Sequence, residues 1–220
     1  MNTRAPSSPL QGVPLQTAEP AADSKWPHRL TGWAMAALWG LFVYRHLLAF
    51  HKTGDWTYLL LCASETLTAG LFVLRSAPAT VSKDPLDWLF GIAGTFTALL
   101  FVPAAWGVLP PARALVVVGT ALQIFGLVSL NRSLAIVAAK RDIKTGGLYR
   151  FVRHPLYASY LLILTGYIGV NTSAWNLALY VMTLGFLWVR MLREEKHLAL
   201  DPQYAAYMQQ VKYRVIPFVF

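Results

Sequence analysis

The sequence is poor in charged residues. They make up 13% of its 220 residues, whereas a soluble globular domain carries about 25%. Hydrophobic residues account for 56% of the chain and are gathered into long runs. This balance argues against a soluble enzyme and predicts a polytopic membrane protein whose apolar segments follow each other as one unit.

Cysteine is nearly absent, since Cys62 is the single one and lies inside an apolar run. An internal disulfide is therefore excluded, and we expect Cys62 to pack among apolar side chains. The histidines are scattered along the chain, at His28, His46, His51, His154 and His197. Their spacing matches no metal-ligand pattern, so we expect no bound metal.

Acidic residues are also few. The chain has 10 Asp and Glu against 19 Lys and Arg, which gives a formal net charge of +9. Such an excess is found in proteins that bind nucleic acid. In a chain of long apolar runs, however, it is more typical of basic cytoplasmic loops. We therefore expect a membrane as the partner, and no nucleic acid.

The apolar runs predict an all-α membrane bundle of about five to six transmembrane helices. Residues 1–27 are rich in proline and polar residues and predict a disordered tail, whereas residues 28–111 hold the N-terminal transmembrane helices. The six apolar segments are Leu30–Phe50, Trp56–Leu74, Leu86–Val108, Ala112–Leu130, Leu156–Val170 and Ala174–Val189. The last two are short, and we expect them to form a helical hairpin.

A short cytoplasmic helix is predicted after the hairpin. Asp201-Pro202 is a good helix start, because proline is favoured at the first helical position. We expect this helix to end at Pro217 and residues 218–220 to pack into the core. If the N-terminus is cytoplasmic, only Lys52 and Arg113 among the loop cations face outward, and Arg45 lies within the first segment. The charge bias therefore predicts cytoplasmic N- and C-termini.

The stretch Gly146–Tyr157 gathers two arginines, a histidine, two tyrosines and a proline between apolar segments. One interpretation is a basic cytoplasmic anchor followed by a helix that starts at Pro155. The other is a site for the charged part of a nucleotide-derived cofactor. An anchor needs only lysine and arginine and has no use for Tyr149, His154 and Tyr157, so we favour a site.

A second polar group lies at the end of the sixth segment. Arg190 and Glu194 are four residues apart and share one helix face. They would form only a weak surface ion pair if that helix end were solvated. Arg190 directly follows an apolar run, however, so its burial calls for an anionic partner, either Glu194 or a substrate. Carboxylates and tyrosine rings suit a sulfonium or ammonium group, and arginine suits a carboxylate.

These motifs together resemble one enzyme family. The motifs are Gly147-Leu148-Tyr149, Arg153-His154-Pro155-Leu156-Tyr157, Arg190 with Glu194-Glu195 and Leu198, Tyr204 with Tyr207, and Arg214-Val215-Ile216-Pro217. This order resembles the isoprenylcysteine carboxyl methyltransferase family, and the related phospholipid N-methyltransferases share it. The resemblance covers residues 115–220. It implies that residues 112–220 form the catalytic core of a membrane methyltransferase.

The resemblance implies S-adenosyl-L-methionine as the methyl donor, bound on the cytoplasmic side. It implies cofactor contacts at Arg141, Asp142, Ile143, Lys144, Tyr149, His154, Pro155, Leu156, Tyr157 and Glu194. It also implies that Arg190 and Glu194 are the catalytic residues, with Arg190 facing the acceptor. The chain departs from the family pattern at Ser159, where glycine is usual, and at Arg141, where a histidine is usual.

The expected reaction is methylation of a carboxylate on a lipidated or lipophilic acceptor by in-line displacement. A carboxylate is ionised at neutral pH, so it needs no general base and Arg190 would orient it. An amine, such as that of a phospholipid headgroup, would instead lose a proton to Glu194 or His154. An NADPH-dependent membrane reductase is a third interpretation, although such enzymes usually carry asparagine where this chain has Leu156. The fourth is a non-enzymatic membrane protein with a basic anchor.

Overall fold

The computed structural model describes residues 25–104 and 106–219, and these are mostly helical. The helices are α1 (Lys25–Thr53), α2 (Thr57–Leu74), α3 (Pro85–Phe96), α4 (Arg113–Leu130), α5 (Pro155–Val170), α6 (Ala174–Leu198) and α7 (Pro202–Gln210), and a short sheet pairs β1 (Thr80–Val81) with β2 (Ala139–Lys140). Residues 1–24 of the predicted tail lie outside the described residues. The all-α prediction is confirmed.

Four of the described helical stretches are long and apolar enough to cross a membrane: 29–53, 57–74, 110–133 and 174–198. The stretches 85–100 and 155–170 are also apolar but shorter. An apolar helix suits a bilayer because its backbone groups are all paired within the segment. The described part of the chain is therefore a polytopic membrane bundle, as the composition predicts.

The third predicted segment, Leu86–Val108, is not one continuous helix. α3 ends at Phe96, and after one 3-10 turn the chain is no longer helical at residues 101–104. Pro103 interrupts helical pairing in this stretch, and the turn between α5 and α6 supplies partners instead. Asn176 donates to the Val102 carbonyl (2.7 Å), and Asn171 accepts from the backbone of Ala104 (3.1 Å). These amides permit non-helical backbone at this end of the bundle.

The sixth segment is longer than its predicted range of 174–189, because α6 continues to Leu198 and has 25 residues. Its charged final turns stay helical since their side chains find partners in the neighbouring elements. Arg193, for example, forms salt bridges with Asp84 and Asp87 at the start of α3. The polar group at the end of the segment therefore belongs to the helix itself.

α4 and α5 pack closely along small residues. A Cβ atom added at Gly166 of α5 would lie 2.7 Å from the backbone nitrogen of Val116. One added at Gly119 of α4 would lie 2.9 Å from that of Ile163. Close helix approach of this kind is typical of membrane bundles, where packing rather than the hydrophobic effect joins helices. Ser159 is fully buried in this region and donates to the Leu156 carbonyl (2.6 Å).

One end of the bundle is rich in basic residues and carries several connected elements. We call it the basic end, and it comprises residues 75–84, 131–154 and 193–219. β1 and β2 join the first two stretches, and Lys140 forms a salt bridge of 2.7 Å with Asp201 at the start of α7. α7 begins at Asp201-Pro202 as predicted, since the Asp201 carboxylate accepts from the backbone of Gln203 (2.8 Å).

The C-terminal segment differs from the prediction. α7 ends at Gln210 rather than near Pro217, because the following residues are extended against the start of α5. The carbonyls of Tyr213 and Arg214 accept from the backbone N–H groups of Arg153 (2.9 Å) and His154 (2.7 Å). Phe218 and Val219 are 86% and 76% exposed, so the expectation that they pack into the core is wrong. Phe220 lies outside the described residues.

Candidate functional site

A cavity of about 300 Å³ lies between the helices and reaches the basic end. It gathers nearly all of the predicted site residues. Those that line it are Arg141, Asp142, Ile143, Lys144, Tyr149, His154, Leu156, Tyr157, Arg190 and Glu194. Pro155 is the exception: it is fully buried and forms the first residue of α5. Residues that are up to 53 positions apart in sequence therefore share one enclosed space.

A glycine turn brings Tyr149 into this cavity. Gly147 has a φ of +60°, and a Cβ atom there would clash with Ser129 of α4. Glycine is the residue that accepts both this conformation and this close approach. The 3-10 turn that follows, Gly147–Arg150, buries Tyr149. Its carbonyl then accepts a hydrogen bond of 2.5 Å from the Tyr207 hydroxyl of α7.

Tyrosine rings form much of the wall near the basic end. Tyr204 and Tyr207 of α7 are buried with ring centroids 5.6 Å apart, and both line the cavity with Tyr149. Burial raises the pKa of Tyr207 to about 12 and holds the pKa of Tyr149 well above its usual range. These phenols therefore stay neutral at physiological pH. The Tyr204 hydroxyl is buried and has no hydrogen-bond partner within the described structure.

Arg190 and Glu194 do not pair with each other directly, although the helix spacing allowed it. Glu194 accepts a hydrogen bond of 2.8 Å from the Tyr157 hydroxyl. Arg190 donates to the Thr95 hydroxyl (2.9 Å) and to the Ala135 carbonyl (3.2 Å). Its Nε is buried without a partner among the described residues. The guanidinium is thus held in place by neutral groups and keeps a donor for an anionic or polar ligand.

Glu195 has a different environment from Glu194 and does not line the cavity. It is buried, and its Oε1 accepts from Arg153 (2.6 Å) and contacts the Nε2 of His154 (3.0 Å). Its Oε2 accepts from Arg214 (2.7 Å). His154 therefore has its Nε2 engaged in an ionic cluster, while its ring lies 5.3 Å from that of Tyr157 at the cavity wall. The cluster joins α5, α6 and the C-terminal segment.

The sequence analysis gave no role to Arg153, Glu195 or Arg214, although all three stand in the motifs it quoted. Arg153 also donates to the carbonyls of Val211 (2.7 Å) and Lys212 (2.9 Å). The sequence contains no signal that distinguishes a residue that lines the cavity from a neighbouring residue that stabilises the surrounding elements. Only the three-dimensional structure assigns Glu194 and Glu195 to different environments.

Arg141 lies at the basic end of the cavity. Its Nε and Nη1 are buried without a hydrogen-bond partner among the described residues. Loss of hydration lowers the pKa of this guanidinium to about 10, and the nearby charge of Arg75 adds to the effect. Arg141 is nevertheless charged at physiological pH. A half-buried guanidinium with two buried nitrogen atoms that lack partners fits an anionic ligand such as a carboxylate.

One wall of the cavity comes from α2, which the sequence analysis left without a role. Residues three or four positions apart form a stripe along this helix: Tyr58, Leu61, Glu65, Thr68 and Phe72. Glu65 stands near the middle of a candidate membrane span. A signal for it was present, because an ionisable residue inside an apolar segment is by itself a candidate for function.

Two further polar groups line the same cavity without partners. The Oε1 of Gln123 in α4 and the hydroxyl of Thr183 in α6 are buried, and neither has a hydrogen bond within the described structure. The described residues contain no group of three or more His, Cys, Asp or Glu side chains placed to hold a metal ion.

The chain is similar to a known protein family over about half of its length. A family model described as phospholipid methyltransferase matches residues 92–203, just over half of the 220 residues. The matched range contains all of the predicted site residues, whereas α1 and α2 precede it. No curated protein matches the chain.

Proposed function

Because the chain belongs to the phospholipid methyltransferase family, we propose that it transfers the methyl group of S-adenosyl-L-methionine to a lipophilic acceptor within the membrane. Family membership makes the chain a membrane methyltransferase and does not support the reductase interpretation. What we propose is the identity of the methyl donor and the class of the methyl acceptor. The observation that carries them is that one cavity holds a buried unpaired cation, a carboxylate and several neutral tyrosine rings.

These groups fit the charges of S-adenosyl-L-methionine. The donor carries a carboxylate, an ammonium and a sulfonium. Arg141, with its unpaired N–H groups, would bind the carboxylate. Glu194 and the rings of Tyr149 and Tyr157 suit positive charge. Asp142, Ile143, Lys144, His154 and Leu156 would complete the wall, and Pro155 would fix the start of α5.

When bound, S-adenosyl-L-methionine supplies an electrophilic methyl group on a positively charged sulfur. The residues of the chain then have to orient the partners and exclude water. The hydrogen bond between Tyr157 and Glu194 fixes the carboxylate that faces the positive charge. α7 is joined to Tyr149 by the hydrogen bond from Tyr207, and the Glu195 cluster fastens the C-terminal segment to α6.

The group on the acceptor has two candidates. The carboxylate expected from sequence stays a prediction, and the free Nε of Arg190 supports it as the group that would orient an anion. An amine is the second candidate, supported by the family description and by Glu65 inside the cavity. Both would be carried on a lipophilic molecule, because the cavity lies among membrane helices.

The proposal is tested by calorimetric titration of the detergent-purified protein with S-adenosyl-L-methionine and, separately, with NADPH. We expect binding of the first and none of the second. The Arg141→Met variant is expected to bind S-adenosyl-L-methionine more weakly, and the Lys83→Met variant, altered outside the cavity, is the matched control. Binding of NADPH alone would contradict the proposed donor.

A further inference from the structure

Glu65 is a carboxylate in the middle of α2 that faces the cavity rather than lipid. The stripe of cavity residues on α2 includes Leu61 and Thr68 on either side of it. An uncompensated charge at the centre of a bilayer costs about 2.5–3.5 kcal/mol or more. Such a residue needs a partner or a polar cavity. Glu65 has such an environment because its side chain lines the cavity.

No cation pairs with Glu65 among the described side chains. The indole of Trp39 in α1 lies near its carboxylate. A carboxylate accepts about four hydrogen bonds, so this neighbour leaves most of its capacity free. Glu65 lines a cavity of about 300 Å³, which is large enough for a small polar group.

A further acceptor without a partner lines the same cavity. The Oε1 of Gln123 is buried and has no donor within the described structure. A carboxylate and an amide oxygen call for a ligand that donates hydrogen bonds and carries positive charge, which is the chemistry of a primary or secondary ammonium. An anionic acceptor group would meet repulsion from Glu65 here.

The position of Glu65 relative to the donor site also suits an acceptor. The hydroxyl of Tyr160 lies within electrostatic reach of Glu65, Arg190 and Glu194. The Tyr160 ring is 6.1 Å from that of Tyr157, whose hydroxyl binds Glu194. Glu65 and the proposed donor residues therefore lie near one pair of tyrosines.

We propose that Glu65 binds the acceptor and makes an amine, rather than a carboxylate, the group that is methylated. This inference rests on the proposed function. α2 lies outside the part of the chain that matches the family model, so the match assigns nothing to it. Trp39 and Tyr160 would flank the bound cation with aromatic rings, which attract positive charge.

The reaction balances as follows. The bound ammonium gives one proton to the Glu65 carboxylate and becomes an amine with a free lone pair. That lone pair forms the new nitrogen–carbon bond while the sulfur–carbon bond breaks. The electron pair of the broken bond stays on sulfur and converts the sulfonium into a neutral thioether. Glu65 then releases its proton to water, so each transfer yields one proton.

The test uses the full chain in mixed detergent micelles with a methyl-labelled donor. Two lipids with identical acyl chains serve as acceptors: phosphatidylethanolamine, which ends in an amine, and its N-succinyl derivative, which ends in a carboxylate. The variant Glu65→Gln keeps the shape and a hydrogen-bond acceptor for Trp39 but removes the charge. The control is Thr66→Ala, the next residue on α2, which is exposed on the outside of the bundle.

We expect the unaltered protein to methylate the amine lipid and not the carboxylate lipid. Glu65→Gln should lower kcat/KM for the amine lipid by about tenfold or more, since a hydrogen bond to a charged group is lost. Its calorimetric affinity for the donor should stay within about twofold, which also shows that it is folded. Thr66→Ala should match the unaltered protein.

Three results would overturn the inference: an undiminished rate for Glu65→Gln with the amine lipid, methylation of the carboxylate lipid alone, or methylation of neither lipid by a protein that binds the donor. Failure of the unaltered protein to bind the donor is a different outcome. It would contradict the proposed function rather than the role of Glu65.

Discussion

Glu194 and Glu195 are consecutive on α6, yet their carboxylates have separate partners. Glu194 accepts from the Tyr157 hydroxyl at the cavity, and Glu195 is buried among Arg153, His154 and Arg214. The first is placed to meet a ligand and the second to hold three elements together. Substitutions at these two positions should therefore have different consequences.

At the cavity, Glu194→Gln and Arg190→Ala should separate binding from turnover. Glu194→Gln should raise the calorimetric Kd for S-adenosyl-L-methionine by about tenfold, because a charged contact becomes neutral. Arg190→Ala should leave that Kd nearly unchanged and lower kcat by about 100-fold or more, because an orienting donor is lost. Full activity in both variants would contradict the assignment.

In the buried cluster, Glu195→Gln should destabilise the fold by about 3–5 kcal/mol, since it leaves the buried guanidinium of Arg153 without its counter-ion. Thermal unfolding in detergent measures this loss. Arg214→Ala should cost less, because the Arg214 side chain is 34% exposed and its charge removal leaves Glu195 paired with Arg153. Equal and small losses in both variants would show that the cluster does not hold the C-terminal segment.

Arg141→Met should have opposite effects on the free and the bound protein. In the protein without ligand, the substitution removes a guanidinium whose buried Nε and Nη1 have no partner. The melting temperature should therefore rise. With S-adenosyl-L-methionine, the same change should weaken binding, because a partner for the carboxylate is gone. The pKa of Arg141 is about 10, so both effects should be constant from pH 6 to 8. Lys83→Met is the control, since Lys83 is exposed and does not line the cavity.

Gly166→Ala should separate α4 from α5. The added Cβ would lie 2.7 Å from the Val116 nitrogen and 2.8 Å from the Ala112 carbonyl oxygen. Neither backbone atom can move alone, so we expect a lower thermal midpoint and a loss of about 1–3 kcal/mol from overpacking. Gly185→Ala is the matched control on α6, because nothing lies within 4 Å of its added Cβ. Equal stability of both variants would contradict the close approach.

The proposed orientation places the basic end in the cytoplasm. Cys62 is the single cysteine, so Cys62→Ser gives a background without thiols. Lys83→Cys at the basic end should then react with an impermeant maleimide only in inverted vesicles, and Lys52→Cys, near the opposite end of α1, only in right-side-out vesicles. The reverse pattern would place the cavity's basic end outside.

The sequence predicted the helices and most of the cavity lining, because hydropathy and motif order carry that information. The prediction failed where the backbone conformation of a segment depends on hydrogen-bond partners in another segment. The run Leu86–Val108 is apolar throughout, but Asn171 and Asn176 stabilise its second half in an extended form. Hydropathy likewise cannot show that the carbonyls of residues 213 and 214 end α7 early by pairing with the start of α5.

The site residues show the same division. Arg190 and Glu194 were paired from helix spacing alone, whereas Tyr157 on another helix takes the Glu194 carboxylate. No role was predicted for Glu65, because the family motifs all lie later in the chain than the second apolar segment, which contains this carboxylate. The predicted roles of the ten cavity residues remain predictions, although their shared location is a finding.

Two different parts of the chain contribute to the wall of the cavity, and this has an evolutionary consequence. The proposed donor side lies within residues matched to the family, while Trp39, Glu65 and Phe72 belong to the preceding helix pair. With Glu65 as the proposed acceptor residue, mutation in α1 and α2 would alter which molecule is modified and leave the proposed donor residues unchanged. Related enzymes would diversify by replacing their first two helices, and chimaeras that exchange residues 29–74 would transfer acceptor choice between them.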